Sequence, residues 1–187
     1  MGKPFIIGIG GTTRPGSSSE QALQLALSHA RKLGAETHLF GGAELQMPMY
    51  DPATANDHEA ARNFIAACRR ADGVIMASPC YHGAVSGLVK NALDYTEEMN
   101  KDTRVYFDGR AIGAIGLGYG WQGPGTVLAQ LRAIGHALRG WNVPLGVAVN
   151  SAVVKFTADG CSDENIGKQI EIMAAQVVQF ATMSKKG

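Results

Sequence analysis

A doubly wound α/β domain, with a five-stranded parallel sheet and helices on both faces, is the fold this sequence predicts. Apolar runs alternate with amphipathic segments along the whole chain. Two of the runs, Asp72-Gly73-Val74-Ile75-Met76-Ala77 and Ala111-Ile112-Gly113-Ala114-Ile115-Gly116-Leu117, are nearly continuous. Strands buried on both faces lose the alternation of polar and apolar residues in this way. No repeat, low-complexity block or linker interrupts the 187 residues, so 1–187 is expected to be one domain with a proper core.

Phe5-Ile6-Ile7-Gly8-Ile9 marks a first strand at 4–10, and Ala22, Leu23, Leu25, Ala26, Leu27 and Ala30 recur at helical spacing within 17–33. A strand at 35–41 follows, then a long connection over 42–55 and a helix at 56–70. The third strand is expected at 72–78 with its helix at 85–98, and the fourth at 110–117, after a polar connection, with its helix at 124–139. A strand at 144–150 and a helix at 162–183 complete the alternation. In the strand order 2-1-3-4-5 the winding reverses between the first and third strands, and ligands of such sheets bind outside the carboxyl ends of the strands at that point.

Composition narrows the partners. With 17 Lys and Arg against 16 Asp and Glu, a net charge of +1, the chain has no field to attract nucleic acid or an anionic membrane. Its apolar runs are short of a membrane span, and its amino end lacks a basic region followed by an apolar stretch, so a cytoplasmic location is expected. Cys68, Cys80 and Cys161 are odd in number and lack metal-type spacing, which predicts free thiols in a reducing compartment and no metal site.

The chemistry is concentrated in the first turn, Gly10-Gly11-Thr12-Thr13-Arg14-Pro15-Gly16-Ser17-Ser18-Ser19-Glu20. Glycines let the backbone approach an anion, while hydroxyls, Arg14 and the free N–H groups of the new helix donate to it. Gly11-x-x-x-x-Gly16 has the first half of a Walker loop, but Ser17 stands where the phosphate-reaching lysine belongs. Gly8-x-Gly10-x-x-Thr13 lacks the third glycine of a dinucleotide loop, and no acidic residue ends the next strand. A hydroxyl-rich loop around one arginine suits the dianionic phosphate of a mononucleotide such as FMN. The alternative is a Ser/Gly turn that only caps a helix.

Two further loops share that edge. Ser78-Pro79-Cys80-Tyr81-His82-Gly83 ends the third strand, where Pro79 is expected to stiffen a turn and leave the following N–H groups facing a planar heterocycle. Gly116-Leu117-Gly118-Tyr119-Gly120-Trp121 follows the fourth strand, with a backbone able to lie flat against a ring. The candidate cofactor-binding residues are therefore Thr12, Arg14, Ser17, Ser18, Ser19, Pro79, Cys80, Tyr81, His82, Gly83, Gly116, Gly118, Tyr119 and Gly120.

These residues resemble the NADPH-dependent FMN reductase family of flavodoxin-like proteins, which includes quinone, azo and chromate reductases and the flavin suppliers of two-component monooxygenases. Gly11-Thr12-Thr13-Arg14-Pro15-Gly16-Ser17-Ser18-Ser19 follows the family's Gly-Ser-x-Arg-x-Gly-Ser-x-Asn/Ser loop, with threonine for the first serine. The resemblance implies that Thr12, Arg14, Ser17 and Ser19 hold the FMN phosphate. Pro79-Cys80-Tyr81-His82, Gly87, Lys90-Asn91 and Asp94 align with the second family loop, where His82 departs from asparagine. Met47-Pro48-Met49-Tyr50-Asp51 resembles a segment that closes over the flavin, often from a partner subunit, which implies a homodimer or homotetramer.

The reaction this resemblance implies is hydride transfer from NADPH or NADH to flavin N5, with no catalytic side chain required because the cofactor carries the chemistry. A quinone, azo or metal-ion reductase retaining its FMN, and a flavodoxin-type electron carrier, are the other readings. Carriers tend to be strongly acidic for docking, unlike this chain. Arg14, Arg110 and Lys101 are candidates for the 2′-phosphate of NADPH. Tyr119 and Trp121 are read as ring-stacking or core residues, Trp141 as packing under the last strand, and His58-Glu59 as a solvated helix start, since a zinc-protease helix needs a second histidine four positions on.

Overall fold

The computed structural model describes residues 2–157 and 160–185. Its sheet is built around β1 (Phe5–Gly10), which is buried at every position and pairs in parallel with β2 (Glu36–Phe40) and with β3 (Gly73–Tyr81). A short β4 (Ala84–Val85) folds back antiparallel on the end of β3. On its other side β3 pairs with β5 (Ala111–Gly118), which pairs in turn with both β6 (Trp141–Asn142) and β7 (Val147–Asn150). Counting β6 and β7 as one interrupted strand, the order is the predicted 2-1-3-4-5.

The interruption combines a proline with a partner distant in sequence. Pro144 has no N–H to give the sheet, and Leu145 N–H donates instead to the Gln176 side chain at 3.0 Å. The last strand thus begins at Val147 rather than 144, and Trp141, expected beneath it, lies in β6 itself, 61% exposed and against Phe180.

Side chains alternate across the sheet. Ile6, Ile75, Ala111 and Ile115 face a layer formed by α1 (Ser18–Lys32) and, beyond a small ribbon of β8 (Phe156–Thr157) and β9 (Gly160–Cys161), α5 (Glu164–Ser184). Ile7, Ile9, Val74, Met76, Ile112 and Ala114 face α2 (Glu59–Arg70), α3 (Gly87–Asp94) and α4 (Gln122–Ala137). This period of two is the register of a sheet buried on both sides. Gly116 lets α4 approach: a methyl group there would overlap the Pro124 carbonyl oxygen and lie 2.7 Å from Leu128 N.

Two helix ends differ most from the predicted bounds. α2 starts at Glu59, after a separate 3₁₀ turn at Ala55–Asp57, and α3 passes at Tyr95 into a 3₁₀ turn ending at Met99. His58 is the N-cap of α2. Among the described residues no helix is long and apolar enough to cross a membrane, and no cluster of His, Cys, Asp or Glu could hold a metal ion.

The amino edge of the sheet is fastened by charge. Arg110, 1% exposed, donates to three carbonyl oxygens: Tyr106 at 2.7 Å, Arg69 at 2.8 Å and Ala71 at 2.9 Å. Burial, with the neighbouring Arg104, lowers its pKa to about 10. Asp72 accepts Phe5 N–H and Lys185 Nζ, each at 2.8 Å. Arg110 is therefore a structural clasp at the end opposite the predicted loops, which removes it as a surface partner for a nicotinamide phosphate.

Candidate functional site

A cleft of about 110 Å³ opens at the carboxyl edge of β1, β3, β5 and β7. Its polar end is the turn between β1 and α1. Ser17 is the N-cap of α1, its hydroxyl accepting Glu20 N–H at 3.4 Å and standing 3.3 Å from Ser19 Oγ. The first turn of a helix leaves its N–H groups without intrahelical acceptors, so those of Ser18 and Ser19 are free for an anion. Thr12 and Arg14 close the turn on themselves, Arg14 N–H donating to Thr12 Oγ1 at 3.1 Å and Thr12 Oγ1 to Arg14 O at 3.2 Å. Glu20 is turned onto Gly16 N–H, 3.2 Å away, and does not line the cleft.

The lining thus carries one formal charge, that of Arg14, together with the hydroxyls of Thr12, Ser17, Ser18 and Ser19, and no carboxylate. That donor set fits a phosphate dianion.

The second wall differs from the expected turn. β3 continues through Pro79 and Cys80 to Tyr81, and only then reverses, through His82 (φ 52°) and Gly83 (φ 83°), into β4. Positive φ at both central residues is the two-residue hairpin turn that matches strand twist. Gln130 of α4 pins this hairpin, accepting Val85 N–H at 3.0 Å and donating to Gly83 O at 2.9 Å. Pro79, Cys80 and Tyr81 line the cleft, whereas His82 and Gly83 form the hairpin tip outside it. Pro79 stiffens a strand end, not a turn.

Leu117, Gly118 and Tyr119 supply the third wall, and Ser151, after β7, a fourth contribution that the sequence reading missed. Its signal was its place directly after a predicted strand at the ligand edge. Gly116 lies under α4, and Gly120 N–H is turned to Asn150 Oδ1 at 3.0 Å, so neither lines the cleft. Of the cleft's aromatic residues, Tyr81 and Tyr119 are 54% and 83% exposed, while Trp121, two residues beyond Tyr119, is 71% exposed but does not line the cleft. Aromatic faces turned to water beside a polar pocket are a platform for a flat, partly apolar ligand.

Met47–Asp51 does not line its own chain's cleft. It is strapped to α3 and the following turn: Tyr50 N–H donates to Asn91 Oδ1 at 2.8 Å, Asn91 Nδ2 to Pro48 O at 2.8 Å, and Tyr95 OH to Pro48 O at 3.1 Å. Tyr50 OH donates to Glu98 at 3.0 Å, and burial with that carboxylate pushes its pKa up to about 12. Met49 projects from the strap, 80% exposed. Lys101 follows the turn at Tyr95–Met99 and adjoins Asp102, which Arg69 holds at 2.8 Å near the Arg110 clasp, away from the cleft.

Comparison with known proteins bears on this arrangement. The model of the NADPH-dependent FMN reductase family matches residues 4–154. The chain is 27% identical over 182 residues to an FMN-dependent NADPH-azoreductase of Staphylococcus saprophyticus subsp. saprophyticus, with 93% of each protein covered. It superposes on a flavoenzyme NAD(P)H:(acceptor) oxidoreductase from Paracoccus denitrificans with a TM-score of 0.77 at 18% identity, covering 96% of this chain and 98% of that one. An apo NADH:FMN oxidoreductase gives 0.62 at 20% identity, covering 97% and 90%. At those identities the structural likenesses establish the flavodoxin-like fold.

Proposed function

Because the chain belongs to the NADPH-dependent FMN reductase family, we propose that it is an NAD(P)H-dependent FMN oxidoreductase that grips the phosphate of FMN in the cleft and carries the ring system at its mouth. The observation that carries this reading is the convergence of Arg14, four hydroxyls and the N-terminus of α1 on one small pocket free of carboxylates. About 110 Å³ is less than the ~300–1,000 Å³ common for ligand pockets, so the pocket suits the phosphate and chain of the nucleotide while the tricycle lies across the rim.

FMN, when bound, supplies the hydride acceptor for a reduced nicotinamide. The protein's work is binding and orientation. Thr12, Arg14, Ser17, Ser18 and Ser19 fix one end of the nucleotide. Pro79, Cys80, Tyr81, Gly118 and Tyr119 position the other so that one ring face stays open to the nicotinamide. No acid–base side chain is assigned to the step.

The azoreductase relative, matched over nearly its full length, favours an enzyme that retains FMN and passes electrons to a small-molecule acceptor such as an azo compound or quinone. Supply of reduced flavin to a monooxygenase is the second reading, favoured by the exposure of the rim, which leaves the ring free to depart. The projecting Met49 supports a homodimer or homotetramer in which the strap of one subunit covers the cleft of another. A cytoplasmic location accords with this chemistry.

The test is anaerobic stopped-flow oxidation of NADPH and of NADH by the purified protein, with and without added FMN, followed by a panel of acceptors. Retained yellow cofactor and azo or quinone reduction without free FMN support the first reading. A requirement for free FMN supports the second. Failure to bind FMN refutes both.

A further inference from the structure

Asn150 closes β7 at the ligand edge of the sheet and is 5% exposed, yet it does not line the cleft. Its side-chain oxygen accepts two backbone N–H groups from different loops: Gly120, after β5, at 3.0 Å and Ala152, after β7, at 3.1 Å. Two N–H donors on one atom fix the orientation of the amide, since only its oxygen accepts.

Other ties reinforce the junction. Ser151 N–H donates to Gly118 O at 2.9 Å, and Lys155 Nζ donates to Ser151 O and Ala152 O, both at 3.0 Å. The loops joined in this way carry Gly118, Tyr119 and Ser151, all of which line the cleft. Gly120 itself, at φ 84°, offers no side chain with which to hold its loop. The place of Tyr119 therefore depends on a backbone N–H and the acceptor that meets it.

We propose that Asn150 is a positioning residue of the flavin site, its oxygen clamping the loop after β5 to the loop after β7 and thereby setting the wall formed by Gly118, Tyr119 and Ser151. This rests on the reading of the cleft as the FMN site. It adds a division of labour: Arg14 and the serines hold the phosphate, and Asn150, touching no ligand, holds the wall that meets the rest of the nucleotide. Removing the oxygen leaves two N–H groups without their common acceptor and frees the two loops to part.

The experiment compares FMN with riboflavin, which lacks the phosphate, in wild type, Arg14→Ala, Asn150→Ala and Asn150→Asp, using flavin fluorescence and absorption. Asn150→Ala is expected to weaken both ligands by the same factor, about tenfold, and to shift the bound-flavin spectrum. Asn150→Asp keeps an oxygen for both N–H groups and is expected to restore riboflavin affinity to within about threefold, with the wild-type spectrum. A purely structural residue would not give spectral rescue by the acceptor alone. Wild-type affinity and spectrum in Asn150→Ala, or a loss confined to FMN, overturns the inference. If the cleft is not the FMN site, Arg14→Ala leaves FMN binding unchanged, a separate outcome.

Amide exchange in the wild-type FMN complex provides a test that does not depend on the variants folding. Gly120 and Ala152 N–H are expected to be protected together. Unprotected exchange of either one overturns the clamp.

Discussion

Replacing Arg14 with alanine separates the phosphate from the rest of the ligand. Arg14 is exposed, and its guanidinium takes part in none of the ion pairs among the described residues. The turn at Thr12 is held by the Arg14 backbone, which alanine retains. Stability should therefore change by less than about 0.5 kcal/mol, as for most surface substitutions. A charge-assisted hydrogen bond to a phosphate contributes about 1.5–3 kcal/mol, so FMN affinity should fall roughly 10- to 150-fold. Riboflavin, without the phosphate, should bind the variant as it binds wild type. Isothermal titration with the two ligands gives four dissociation constants, and the ratio of ratios isolates the Arg14–phosphate term. Equal losses for both ligands, or no loss for either, would refute the placement of the phosphate beside Arg14. Raising ionic strength should narrow the gap between the two proteins, because the contact is solvent-exposed and screened.

Gly116→Ala should destabilise by about 2–3 kcal/mol or more in urea unfolding, since its methyl meets the backbone of α4, whereas the methyl of Gly113→Ala meets only side chains, the Met173 sulfur first and then Val177 and Ile75, which can shift, and should cost less; the reverse order would refute the packing described. Burial raises the Cys68 thiol to about 12 from its usual 9, so the unfolded chain releases this proton first. The contribution is fully present below pH 9 and is lost as pH rises toward 12, with a slope on the order of 1 kcal/mol per pH unit that Cys68→Ala should remove from alkaline urea titrations. His82→Asn places a better left-handed residue at the hairpin tip and should raise stability by about 0.5–1 kcal/mol while FMN affinity stays within about twofold; a large loss of FMN would return His82 to the site.

The sequence showed a parallel sheet covered on both sides because burial on both faces leaves unbroken apolar runs, and Phe5–Ile9, Val74–Ala77 and Ala111–Leu117 are such runs; the order 2-1-3-4-5 followed from the doubly wound fold type. It showed the phosphate-type turn because glycines, hydroxyls and one arginine sit together at a strand–helix junction. Features set by distant partners were hidden. That β3 runs on to Tyr81 depends on its pairing with β4 and on Gln130 from another helix. The broken last strand depends on where the Leu145 N–H finds an acceptor, and that acceptor is Gln176, 31 residues away. Asn150 was hidden for a similar reason. Nothing adjacent to an asparagine in sequence reveals that its oxygen will meet Gly120, 30 residues earlier.

The clasp of Arg110 bears on how the molecule moves. It gathers the carbonyls of residues 69, 71 and 106 at the rim remote from the cleft, and Asp72 stitches Phe5 and Lys185 into the same rim. Breathing is thereby directed to the other end, like a fan riveted at its base: the blades that spread to admit or discharge a guest are the tip of β3 on one side and, on the other, the tips of β5 and β7 moving together as the pair Asn150 joins.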